Sequence, residues 1–147
     1  SHEAIKNTCK YFINNPVKEW IKPTSGHGVD IWIEKEGKHY LYDTKTVQPN
    51  AGSVLGYIEQ LHRWYFFFYA KYPTAKMEAA IVFPYNPYDK PMFTVKKFPP
   101  LATGYEALDG KSFWSFLTEN ENAMSIILKA FKVVGESDSI SQIIDKV

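Results

Sequence analysis

The chain has one cysteine, almost no net charge and no long apolar run, and each shortage removes a class of explanation. Cys9 stands alone among 147 residues, which excludes an internal disulfide and a cysteine-rich zinc site and suits a reducing compartment. Seventeen Lys and Arg against sixteen Asp and Glu leave a formal charge of +1. That rules out the global basic field of a histone-like coat and confines any nucleic-acid contact to a local patch. The most hydrophobic stretch, Trp64 to Ala70, falls far short of the roughly 20 residues that cross a bilayer, and no secretory leader is visible. Repeats, low-complexity tracts and Gly/Ser linkers are missing too, so one compact unit spanning residues 1–147 is expected. Together these absences predict a soluble, cytoplasmic protein with no membrane partner. Ser1-His2 has the look of a tag remnant, and the chain enters directly into helical sequence, so an N-terminal portion is expected to be missing.

What is present is an apolar fraction of 45% with 16% aromatic residues, enough for one good core but on a chain too short for two ordinary domains. Ile5, Cys9, Phe12 and Ile13 recur at helical spacing until Asn15-Pro16 stops them. After the loop Pro23 to Gly28, the segment GVDIWIEKEGKHYLYDTKT reads as two β-rich runs folded into a hairpin at Glu36-Gly37. Gln48 to Ser53 is loop. Val54 to Tyr72 then carries Leu55, Ile58, Leu61, Trp64, Tyr65 and Phe68 as the stripe of an amphipathic helix. Met77 to Phe83 reads as a buried strand, Pro84 to Tyr88 as a turn, Met92 to Lys96 as a further strand, and Lys111 to Val134 as one or two helices. The order predicts an α/β fold, a central mixed β-sheet flanked by helices rather than a barrel or bundle.

With Glu36 and Gly37 as the central turn residues, Asp30 lies directly across from Asp43, and Lys45 points to the same side. Val29, Ile31 and Ile33 then face the opposite, core side. Like charges directly opposed on neighbouring strands are destabilising, and a divalent cation would remove the conflict. Hard oxygen ligands with open positions suit Mg²⁺, which keeps several waters and accepts phosphate oxygens. Such an ion can polarise a phosphate and acidify a water, with Lys45 orienting the nucleophile and offsetting charge in the transition state. The plain alternative is that both acids are edge-strand charges and Lys45 forms an ordinary surface ion pair.

GVDIWIE, about a dozen residues, then YLYDTKT resembles the PD-(D/E)xK nuclease superfamily, with Val29-Asp30 in place of Pro-Asp and Asp43-Thr44-Lys45 as the (D/E)xK. The continuation DTKTVQPNAGS resembles type II restriction endonucleases. The resemblance runs over most of residues 3 to 95 and departs at Val29 and in having Asp rather than Glu as the second acid. It implies a restriction-endonuclease-like core, a prokaryotic source, a Mg²⁺-dependent phosphodiesterase leaving a 5′-phosphate, and the Thr44 carbonyl as a further metal ligand. Glu3 is the candidate for the extra acid that many members carry on a preceding helix, or a solvated first-turn glutamate. Gln60 and Arg63 resemble the polar face of a helix that some branches place beside the metal, or form a merely solvated face. His62 reads as a surface histidine.

Gln48, Asn50 and Ser53 could contact a DNA backbone or base edge, or serve as loop and cap residues, a role that suits Ser53 best. Tyr85, Asn86, Tyr88 and Lys90, joined by Lys96 and Lys97, interleave aromatic and basic groups as a DNA contact would, though such turns are common. The expected function is site-specific cleavage of double-stranded DNA. A repair or recombination nuclease of the same fold and a catalytically silent DNA-binding module are the rivals, and a two-carboxylate glycosidase is more distant. A palindromic site implies a homodimer, with the aromatic helix Trp64 to Tyr69 or the apolar segment Ile126 to Phe131 as the surface between subunits.

Overall fold

The two β-rich runs close into a hairpin because their turn adopts the twist the strands require. The computed structural model describes residues 7, 8, 10, 11, 13–15, 28–46, 51–85 and 106–136. Strand β1 (Ile31–Lys35) pairs antiparallel with β2 (Lys38–Thr44), from Ile31 opposite Tyr42 to Lys35 opposite Lys38. Glu36 and Gly37 between them have φ of 53° and 70°, the positive pair of a type I′ turn. Glycine takes that conformation freely, whereas Glu36 carries a steric cost there.

Strand β3 (Lys76–Phe83) lies parallel to β2, and β4 (Ala107–Asp109) parallel to β3, so the described strands form one mixed sheet in the order β1-β2-β3-β4. Parallel neighbours need a crossover, and helix α1 (Ala51–Lys71) supplies it between β2 and β3. Two further helices, α2 (Gly110–Thr118) and α3 (Ala123–Gly135), follow β4. Asp109 caps α2 by accepting from the Ser112 N–H at 2.8 Å, and Glu119, at φ 55°, ends it. Asn7, Thr8, Lys10, Tyr11, Ile13 and Asn14 are helical, in keeping with the expected leading helix. The strand expected at Met92 to Lys96 lies outside the described residues.

Helices cover both faces of the sheet, which is why β3 is buried continuously from Ala79 to Phe83. On one face Leu41, Ala79, Ile81, Phe83 and Ala107 pack with Val54, Leu61, Trp64 and Phe68 of α1. On the other, Tyr42, Ala80 and Val82 pack with Phe113 of α2, flanked by Ile31, Ile33, Tyr40 and Phe116. Trp64 and Phe68 are therefore core, while Phe66 of the same aromatic stretch is exposed. Val29 departs from the expected face: the chain bends at Asp30, strand alternation starts only at Ile31, and Val29 joins the α1 cluster. Where β4 has not yet begun, the Tyr65 hydroxyl accepts from the Ala79 N–H at 3.2 Å and the Glu106 carbonyl from the Ile81 N–H at 2.9 Å. Among the described residues no helix is long and apolar enough to cross a membrane.

At the start of α2 the backbone comes very close to the end of β3. A Cβ on Gly110 would stand 2.4 Å from the Pro84 carbonyl oxygen and 2.9 Å from its carbon, and backbone atoms cannot swing aside. Gly110→Ala should destabilise the fold by about 1–3 kcal/mol. Gly56→Ala, at an exposed α1 position with nothing within 4 Å of the added carbon, should stabilise it by roughly 1 kcal/mol. Equilibrium urea denaturation of both variants measures the contrast.

Candidate active site

The Asp30 N–H donates to the Tyr42 carbonyl at 3.0 Å, although Tyr42 is already the register partner of Ile31. Asp30 therefore sits at a bend one step off the regular ladder rather than in the paired position opposite Asp43 that the turn alone predicts, and the two acids meet through their side chains. Asp43 follows Leu41 on the α1 face of an interior strand and is only 4% exposed. The acid-bearing face is therefore a second core face rather than a solvent face. Thr44 turns back to Asp30: its N–H and its hydroxyl both donate to Asp30 Oδ2, at 2.9 and 3.0 Å. Lys45 is anchored through its N–H to the Val82 carbonyl at 2.8 Å. Its ammonium donates to Asp43 Oδ1 at 2.9 Å and approaches Oδ2 at 2.7 Å without hydrogen-bond alignment. That ammonium also lies 5.7 Å from the ring centroid of Tyr57 on α1.

The electrostatics follow from this placement. Burial pushes the Asp43 carboxyl above the usual aspartate range; neighbouring Asp30 adds to the rise and Lys45 opposes it. Asp30 moves the other way, chiefly because the Thr44 amide hydrogen-bonds its carboxylate, against a smaller opposing effect of burial. For Lys45 burial works against the charge, but the hydrogen bond and charge of Asp43 prevail and hold the ammonium above its ordinary value. Asp43 Oδ2 is buried and accepts no aligned hydrogen bond; its close neighbour is the Lys45 ammonium.

Two neighbouring carboxylates, one of them buried, fit a hard cation that takes oxygen ligands and retains water. Among the described residues no group of three or more His, Cys, Asp and Glu gathers, so the side-chain donors at this place are the two aspartates. Thr44, expected to contribute its carbonyl, contributes its N–H and hydroxyl to Asp30. Tyr57 was not anticipated at all. Its spacing before Leu61, Trp64 and Phe68 put it on the inner arc of α1, and a phenol there was a signal that could have been read.

Gln60 is half-buried and three residues beyond Tyr57, on the same arc, while Arg63 is exposed and further round the helix. Ser53 is half-buried one turn before Tyr57. It does not cap α1, because the helix already begins at Ala51. His62, expected at the surface, is half-buried, and its Nε2 is buried with no hydrogen-bond partner. Tyr85 is exposed just past β3, on the sheet edge where Lys45 leaves β2. Glu3, Gln48, Asn50, Asn86 and Lys90, with Tyr88, Lys96 and Lys97, lie outside the described residues.

The sequence matches the type II restriction endonuclease HinfI family over residues 1–135. It is similar to the type II restriction enzyme MjaII of Methanocaldococcus jannaschii, 29% identical over 120 residues that cover 74% of this chain and 32% of that protein. The chain thus spans about a third of the length of the curated relative it matches. No solved structure matches it.

A buried acid whose pKa is raised on folding binds its proton more tightly in the native state, so at pH values above the raised pKa its ionisation costs stability. Asp43→Asn removes that cost. The metal-free variant should melt about 2–4 °C above wild type at neutral to mildly alkaline pH. Mg²⁺ should raise the melting temperature of wild type but not of the variant. Calorimetric melting of both proteins in chelator and in Mg²⁺ checks the pair of outcomes.

Proposed function

The chain belongs to the HinfI family of type II restriction endonucleases, and we propose that it carries the catalytic core of a Mg²⁺-dependent enzyme cutting double-stranded DNA at a specific sequence. The observation that supports this most strongly is the buried Asp43 carboxylate with the Asp30 carboxylate beside it and the Lys45 ammonium against both its oxygens. A structural ion pair has no use for the second acid; a cation site does.

In this reading Asp30, Asp43 and the Thr44 carbonyl hold Mg²⁺. The ion supplies Lewis-acid polarisation of a phosphate oxygen and a lowered pKa for a bound water. The protein's own groups do the rest. Thr44 fixes one oxygen of Asp30 through two hydrogen bonds, leaving the other for the ion. Lys45, held by Asp43 and bounded by the Tyr57 ring, presents a positioned ammonium that orients the attacking water and offsets the charge gathering on the phosphate. Hydrolysis then leaves a 5′-phosphate. Glu3, Gln60 and Arg63 are proposed accessory residues around this centre, and Gln48, Asn50, Ser53, Tyr85, Asn86 and Lys90 proposed DNA contacts.

Incubation with mixed-sequence duplex DNA should yield discrete fragments in Mg²⁺ and none in chelator; no cutting in either would overturn the reading. Asp43→Asn should bind duplex yet leave it intact. Lys45→Ala should lose at least about a hundredfold in cleavage rate while retaining Mg²⁺ affinity by titration calorimetry. Loss of metal affinity in that variant would mean that Lys45 shapes the ion site rather than the chemistry.

We further propose that the enzyme acts as a homodimer, since symmetric cuts in a palindrome are most simply made by two copies of one site. With Trp64 and Phe68 in the core, the apolar face of α3 is the better surface: Ile126, Phe131, Val133 and Val134 are each more than half exposed. Light scattering should give a two-subunit mass on a cleavable duplex. A one-subunit mass with double-strand cleavage first order in protein would exclude the dimer.

A further inference from the structure

On the proposed nuclease reading, we propose that the cavity between α2 and α3 is a second DNA-backbone site, which grips phosphates beside the one being cut. The cavity measures about 550 Å³; Met124 and Leu128 give it an apolar lining, with Lys111, Lys129, Lys132, Asn122 and Ser125 beside them, and Glu121 is the one acid among the described lining residues. Three cations, an amide and a hydroxyl around one opening form the donor set that phosphate oxygens take. In a chain whose formal charge is only +1, this is a local concentration of positive charge of the kind that backbone contact requires.

Its place in the fold relates it to the candidate active site. Asp43, Ile81 and Ala107 stand in one row across three parallel strands, and those strands end together at Thr44, Phe83 and Asp109. Helix α2 starts at the next residue, Gly110, so Lys111 leaves the same carboxyl edge of the sheet as Lys45, two strands over and on the face opposite to the one that carries Asp43. Ligands of such sheets bind outside this edge. A duplex lying over this edge with its scissile phosphate at Lys45 carries further phosphates past the opposite face, since successive ones advance by about 3.4 Å along the axis.

The resident interactions do not block the site. Lys132 faces Glu136 at 3.7 Å, and both side chains are largely exposed, so the pairing is weak and yields to a phosphate. On α3, Lys132 lies away from Ile126 and Val134, while Lys129 borders the apolar arc beside Ile126 and Val133.

The test compares wild type with Lys111→Gln/Lys129→Gln/Lys132→Gln and with a control, Lys71→Gln/Lys76→Gln, whose lysines sit at the opposite edge of the sheet. Fluorescence anisotropy with a short mixed-sequence duplex in chelator, between about 50 and 200 mM salt, gives the slope of log affinity against log salt. The triple variant should lose about 2–3 from the magnitude of that slope, and the control almost nothing. In Mg²⁺ its KM should rise about tenfold or more with kcat within roughly twofold of wild type, as loss of uniform binding requires. An unchanged slope and KM, in a wild type that binds and cuts, would retire the cavity and leave the nuclease reading standing. So would an equal loss per lysine in the control. A wild type that neither binds nor cuts the duplex would overturn both.

Discussion

Two carboxylates facing each other across a strand pair repel, and Asp43 is withdrawn from water as well. The arrangement around them answers that conflict piece by piece. Lys45 offsets part of the charge of Asp43. Thr44 spreads the charge of Asp30 through an amide and a hydroxyl. Both oxygens of Asp43 stand close to the Lys45 ammonium, at 2.9 and 2.7 Å, yet burial still outweighs it and holds the carboxyl above its ordinary range. The two acids respond oppositely to this environment: Asp30 ionises readily, and Asp43 resists. Their different pKa shifts are consequences of one geometry.

That geometry depends on the fold at several removes. The type I′ turn at Glu36-Gly37 fixes the register from Lys35–Lys38 to Ile31–Tyr42, and at the bend that follows, Thr44 holds the Asp30 carboxylate through two hydrogen bonds. The parallel pairing of β2 with β3 buries the strand that carries Asp43 and secures Lys45 by the Val82 carbonyl. The crossover helix α1 closes the same face with Leu61, Trp64 and Phe68, and brings Tyr57 over the lysine. An apolar core thus reaches to the edge of the ion pair, and that is why the Asp43 carboxyl is pushed up rather than merely paired.

The hairpin was legible in the sequence because a two-residue Glu-Gly turn between β-rich runs sets the register arithmetically from Lys35–Lys38 to Ile31–Tyr42; the departure from that arithmetic at Asp30 was not. Helix α1 and β3 were legible from period and from apolar continuity. Strand β4 was not, since three residues carry no period and its pairing rests on β3 being there already. The division of the last helical stretch was left open because its break rests on the left-handed Glu119, a residue type that gives no such signal. The bend at Asp30 that diverts Val29, and the return of Thr44 to Asp30, arise from three-dimensional fit at the end of a strand, where alternation stops applying. Family membership agrees with the fold reading, while the roles of individual residues rest on geometry and chemistry alone.

The account turns on a cation between Asp30 and Asp43, and the most direct measurement is the side-chain carboxyl ¹³C spectrum of the protein through a Mg²⁺ titration. The Asp30 and Asp43 resonances should shift together with one binding constant, and those of Glu34, Glu78 and Glu119 should stay in place. Binding that moves other carboxyls while leaving Asp30 and Asp43 unchanged would contradict it.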